Sequence, residues 1–169
     1  VVERITPANY DENLALLAEC DLVIEAISER MDWKKSLFEK VAPHLAPHAI
    51  VASNTSGLSI TKLAAVLPET IKPRFCGIHF FNPPRYMQLV ELIPTPGTLP
   101  EILDQLETFA TRTLGKGVVR AKDTPNFVAN RIGIAGMLAT MKEVENFGLT
   151  YDVVDDLTGK RLGRASSGT

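Results

Sequence analysis

The 169 residues are 45% hydrophobic and 22% charged, with a formal net charge of −2. That is ordinary globular composition, enough for one good core or a domain and a half. Lys and Arg are scattered, which argues against a nucleic-acid partner, and Asn130 and Arg131 break the apolar stretch of the C-terminal half, which argues against a membrane span. Cys20 and Cys76 lie far apart and outside metal-ligand spacing, so we expect free thiols, a reducing compartment and no metal site. His44 and His48 stand on either side of Pro47 in a loop and read as surface residues. The chain opens on Val1-Val2 without a start methionine or a signal sequence, and the expectation is a fragment whose targeting signals are not visible.

In chain order, residues 1–6 read as a short strand and Asn9-Tyr10-Asp11 as a turn into a helix reaching Ala18. Asp21–Ile27 (DLVIEAI) is a compact β-rich run suited to a strand buried on both faces. Met31, Phe38, Val41 and Leu45 recur near helical spacing between charged residues, with Pro43 weakening the last turn and Pro47 ending it. Ala49–Ser53 is the next strand, Asn54–Gly57 a turn rich in donors, and a short helix runs to about Leu67. Phe75–His79 is a third strand. Pro83-Pro84 cannot continue a ladder, so the chain turns there and runs back through Leu89–Ile93. An amphipathic helix follows (Ile102, Leu103, Leu106, Phe109, Ala110), stopped by Gly115, then a strand at Val118–Ala121. Thr124 as cap and Pro125 at the first helical position predict a long helix to about Asn146, with an apolar face from Phe127, Ile134, Leu138 and Met141. Gly148 ends it, and another helix begins near Thr150. Strands alternating with helices to residue 122, then helices only, predict a boundary at 122–125.

Strand–helix alternation predicts a doubly wound, mostly parallel sheet, and ligands bind such sheets at the carboxyl ends of the strands. Polar residues collect there: Ser28, Glu29 and Lys34 after the first strand, Asn54, Thr55 and Ser56 after the second, and His79 and Asn82 after the third. If the chain reverses at Pro83-Pro84, Glu91 comes beside His79, and a carboxylate beside an imidazole fixes its tautomer and stabilises the imidazolium that a general base becomes. On residues alone the alternatives stay open: a core histidine bonded to a carbonyl, a solvated Glu91, and Ser, Asn and Thr serving as turn residues and caps.

Asp21–Glu29 (DLVIEAISE), Ala52–Leu58 (ASNTSGL), Gly77–Pro84 (GIHFFNPP), Met87–Glu91 (MQLVE) and Asp123–Arg131 (DTPNFVANR) resemble the L-3-hydroxyacyl-CoA dehydrogenase family of fatty-acid β-oxidation. The resemblance implies a partial Rossmann-type α/β domain at residues 1–122, followed by the start of an all-α domain at 123–169. It also implies NAD as cofactor, an acyl-CoA substrate, a homodimer and a cytoplasmic, bacterial-like enzyme. By position, His79 matches the general base and Glu91 its orienting carboxylate. Ser56 and Asn130 match residues that hold the substrate oxygen, where the transition state develops charge. Glu29, Lys34, Ser56 and Asn82 match positions around the ribose and nicotinamide half of the dinucleotide. For Lys34 a solvated helix face is the alternative, and for Asn130 a helix residue bonding neighbouring backbone.

Two departures stand out. The Gly-rich phosphate loop (G-x-G-x-x-G) and its following acidic residue are absent, so the missing part is expected to be on the order of 60–80 residues at roughly 30 per βαβ unit. Asn126 stands where the family has glycine, and since Asn tolerates unusual φ the helix is expected to survive. The two C-terminal helices fall short of the family's helical domain, and Gly163–Ser167 resembles longer bacterial members, some fused to an enoyl-CoA hydratase. The fragment alone is expected to bind NAD weakly or not at all. Competing readings are another β-hydroxyacid dehydrogenase on the same fold, where lysine commonly replaces the His–Glu pair, and a non-catalytic structural relative.

Overall fold

The computed structural model describes residues 2–163; Val1 and Arg164–Thr169, the latter holding part of the C-terminal cue, lie outside the described residues. One sheet of five strands runs in sequential order: β1 (Leu22–Glu25), β2 (Ile50–Ser53), β3 (Phe75–Phe80), β4 (Leu89–Pro94) and β5 (Gly117–Arg120). β1, β2 and β3 are parallel, β4 returns antiparallel to β3, and β5 is parallel to β4. The alternation of strand and helix and the Pro-Pro reversal thus give the mostly parallel α/β sheet expected.

Helices flank both faces. α1 (Met31–Val41) buries Lys34, Phe38 and Val41, spaced four and three residues apart and so on one face. With α2 (Ile60–Ala64) it covers Val51, Phe75 and Ile93 in one core. Ile50, Ala52, Cys76, Ile78, Val90 and Leu92 point the other way, as strand periodicity requires, and meet Ile102, Leu103 and Leu106 of α3 (Pro100–Thr108) in a second. Gly77 lies between the sheet and α2. A Cβ there would stand 2.8 Å from Ile60 Cδ1 and 3.1 Å from Ile93 Cβ, so only glycine lets helix and strand approach this closely. α3 ends in a wider turn at Phe109–Thr113, and Gly115 at φ 66° reverses the chain into β5.

Several expectations need correction. Residues 2–4 form a 3₁₀ turn, because β1 pairs only with β2 among the described strands and a strand needs a partner ladder. The first helix is a 3₁₀ segment at Leu14–Glu19. Among the described residues β1 stands at the sheet's edge, and Ile24 on it is exposed, so it is not the doubly buried strand expected. The long helix α4 (Ala129–Phe147) starts four residues later than Pro125: Asn126 and Phe127 take φ of 61° and 49°, which no α-helix accommodates.

The chain divides into two compact units after Phe127. The second holds α4 and α5 (Tyr151–Thr158), with Gly148 at φ 61° closing α4. Of the apolar face expected from Phe127, Ile134, Leu138 and Met141, Phe127 is buried ahead of the helix and the other three are exposed, Leu138 at 59%, while Val144 and Val154 are the buried side chains of the two helices. No helix among the described residues is long and apolar enough to cross a membrane.

Candidate active site

His79 and Glu91 are register partners on β3 and β4, so their side chains leave the same face of the sheet. His79 Nδ1 is 2.8 Å from Glu91 Oε2. The imidazole is 2% exposed and the glutamate 0%. A carboxylate accepts only, so Nδ1 carries the proton and Nε2 is left as the basic nitrogen. The rings of Phe81 and Phe127 contact the imidazole at centroid distances of 4.4 and 5.6 Å. The solvated Glu91 of the competing reading does not occur.

At the carboxyl edge of the sheet a second polar system ties three loops together. Glu25, the last residue of β1, is buried and accepts from Lys34 Nζ at 2.7 Å, Ser53 Oγ at 2.5 Å and the Ile27 amide at 2.6 Å. Lys34 also donates to the Ile27 carbonyl and lies 3.6 Å from Glu29 Oε2. At 1% exposure Lys34 is a core cation, which rules out the solvated helix face. Glu29 Oε1 collects the Thr55 hydroxyl and the amides of Ser56 at 2.8 Å and Gly57 at 3.0 Å. Burial pushes its carboxyl pKa up, but the Thr55 hydroxyl, the two amides and Lys34 outweigh it and hold the pKa below its ordinary 4.5. Asn54 Oδ1 accepts from the Phe80 amide at 2.9 Å, joining the second loop to the third.

Ser56 and Asn82 are exposed at this edge, Asn82 just before the turn that leads to β4. Glu29, Lys34 and the Ser56 amide are thus brought together, as are His79 and Glu91. Asn130 belongs to the second unit, half-buried in the first turn of α4. Sequence reasoning placed Thr55 at this edge but missed the parts played by Glu25, Ser53, Asp123 and Phe127. The signal for Glu25 was present, as a lone carboxylate inside the apolar run LVIEAI, nine residues before a lysine whose helical phase matches Phe38 and Val41. Among the described residues no group of three His, Cys, Asp or Glu side chains is placed to hold a metal ion.

A mostly parallel sheet with its polar groups gathered at the strands' carboxyl ends defines a doubly wound α/β domain of the nucleotide-binding class. Residues 1–124 match the family described as "3-hydroxyacyl-CoA dehydrogenase, NAD binding domain", and the chain belongs to it. It is 47% identical over 165 residues to a probable 3-hydroxyacyl-CoA dehydrogenase of Deinococcus radiodurans, covering 98% of this chain and 48% of that protein. A putative fatty acid oxidation complex trifunctional enzyme of Rickettsia prowazekii is 41% identical over 167 residues, covering 99% and 23%. The crystal structure of Mycobacterium tuberculosis FadB2 superposes with a TM-score of 0.80 at 36% identity, covering 89% of this chain and 53% of that one. The chain therefore spans about half, or less, of the length of these relatives.

Proposed function

We propose that the protein is an NAD-dependent oxidoreductase that interconverts L-3-hydroxyacyl-CoA and 3-ketoacyl-CoA in fatty-acid β-oxidation. The observation that carries this reading is the buried, directly opposed His79–Glu91 pair at 2.8 Å, in a chain of this family. His79 takes the substrate hydroxyl proton on Nε2, and Glu91 orients the ring through Nδ1 and stabilises the imidazolium. A positioned base of this kind contributes roughly 10²–10⁴-fold to the rate. Ser56 and Asn130 hold the substrate oxygen in this reading.

The residues present fit the ribose and nicotinamide half of NAD. Glu29 offers a half-exposed carboxylate to ribose hydroxyls, and Ser56 and Asn82 offer exposed hydrogen-bonding groups at the same edge. Lys34, enclosed against Glu25, acts on the cofactor through Glu29. When bound, NAD supplies the hydride acceptor. The 169 residues contain no glycine-rich phosphate loop.

Residues 1–122 are read as part of the NAD-binding domain and 123–169 as the start of a helical domain for substrate binding and dimerisation. Association with an enoyl-CoA hydratase and a cytoplasmic location belong to the same proposal. The test is acetoacetyl-CoA-dependent oxidation of NADH by the intact protein, with free acetoacetate and NADPH alongside. Oxidation that requires both the CoA thioester and NADH supports it. Equal rates with free acetoacetate would favour another β-hydroxyacid substrate, and bound NADH without turnover would favour a non-catalytic relative.

A further inference from the structure

The segment joining β5 to the second unit carries two consecutive residues in the left-handed region, Asn126 at φ 61° and Phe127 at φ 49°. A bulky phenylalanine there is a genuine outlier, and such backbone persists only where its surroundings over-determine it. The surroundings are visible. The Asp123 carboxylate accepts from Ser59 Oγ at 2.9 Å, Thr61 N at 2.8 Å and Ile60 N at 3.1 Å, fastening the segment to the start of α2. Burial raises the pKa of Asp123, but these partners outweigh it and hold it below its ordinary value. The Phe127 amide closes a turn on the Thr124 carbonyl at 2.9 Å. Asn126 Oδ1 lies 3.3 Å from where a Cβ on Gly57 would stand, so the segment passes close over the Ser56–Gly57 loop. The result is that the Phe127 ring is buried at 5.6 Å from the His79 imidazole, tilted by 60°.

Glu91 holds one nitrogen of that imidazole at 2.8 Å, a single hydrogen bond about which the ring can rock, and Phe81, just past β3, meets the ring at a centroid distance of 4.4 Å. The Phe127 ring, tilted by 60° at 5.6 Å, adds a second aromatic contact that narrows this freedom. We infer that Phe127 is a positioning residue for His79, and that the strained strap 123–127, anchored by Asp123, sets the plane of the imidazole. The inference rests on the reading of His79 as base.

The test is Phe127→Leu in the intact protein, which keeps an apolar side chain but removes the flat wall. Turnover should fall about tenfold, with KM for NADH changed less than about twofold, since misplacing a catalytic group costs rate and not cofactor binding. In ¹⁵N NMR, His79 should pass from one tautomer to an exchanging pair. Phe127→Tyr, which keeps the ring, should restore both. If Phe127→Leu does not fold, Asp123→Asn decides with the same two readouts, because it loosens the anchor without emptying the core. Unchanged turnover and an unchanged His79 tautomer would overturn the inference. If the unsubstituted protein shows no turnover, the base assignment falls, while the tautomer measurement still decides whether Phe127 positions the ring.

Discussion

In the proposed reading His79 is the base, and Glu91 holds its other nitrogen at 2.8 Å. Glu91→Gln keeps the shape but can neither stabilise an imidazolium nor enforce the tautomer, so turnover should drop by about 10²-fold or more. Steady-state kinetics with NADH binding measured in parallel checks this, and a loss under threefold would contradict it. Glu29 acts differently. Its carboxyl sits below its ordinary 4.5 in the fold: burial raises it, and the Thr55, Gly57, Ser56 and Lys34 partners more than reverse that. A carboxylate with a depressed folded pKa contributes stability above its unfolded value, and that stability is lost as pH falls through the folded value. Asp123 is depressed from 3.8 in the same sense. Thermal stability should therefore decline as the pH drops below about 4.5, and Glu29→Gln should lessen that decline. An unchanged acid limb in the variant would show that Glu29 does not contribute. At this scale the His79–Glu91 pair was legible because Pro83-Pro84 cannot continue the ladder and the apolar run after it can pair back beside β3. Lys34 was not, since lysines at 34, 35 and 40 read as a solvated face until helical phase places only Lys34 beside Phe38 and Val41.

Lys34 ties α1 to β1 through Glu25, and both side chains are enclosed. Lys34→Met leaves the Glu25 carboxylate buried without its cation and should destabilise the fold by about 3–5 kcal/mol. Adding Glu25→Leu should recover most of that, because two apolar side chains replace the pair. Urea unfolding of the two variants measures it, and no recovery in the double variant would show that Glu25 has other essential partners. Gly77→Ala forces a methyl onto Ile60 and Ile93 where α2 meets the sheet. The overpacking should cost about 1–3 kcal/mol by the same measurement; a neutral result would mean that Ile60 moves aside freely. The order of strands and helices was readable because apolar runs and turn residues alternate cleanly. The entry to α4 was not, because Thr124-Pro125 has good local start chemistry, which the Asp123 anchor and the burial of Phe127 override. Residues 1–6 have strand composition but no ladder to join among the described residues.

Over the whole chain, the division into two compact units falls after Phe127, and the change in texture read from the sequence falls at 122–125. Composition located that change but not the strap, whose residues belong structurally to the first unit. The amphipathic pattern of α4 was legible too, though Ile134, Leu138 and Met141 stay exposed here. The family match covers residues 1–124 and agrees with the motifs at Ala52–Leu58 and Gly77–Pro84. What the account depends on is that His79 performs the proton transfer and does not merely fill the core. The most direct test compares His79→Ala with the unsubstituted intact protein in acetoacetyl-CoA reduction, with NADH affinity measured on the same samples. If His79 is the base, turnover falls by at least about 10²-fold while NADH affinity stays within about threefold. Equal losses in both, or a variant that keeps its turnover, would contradict it.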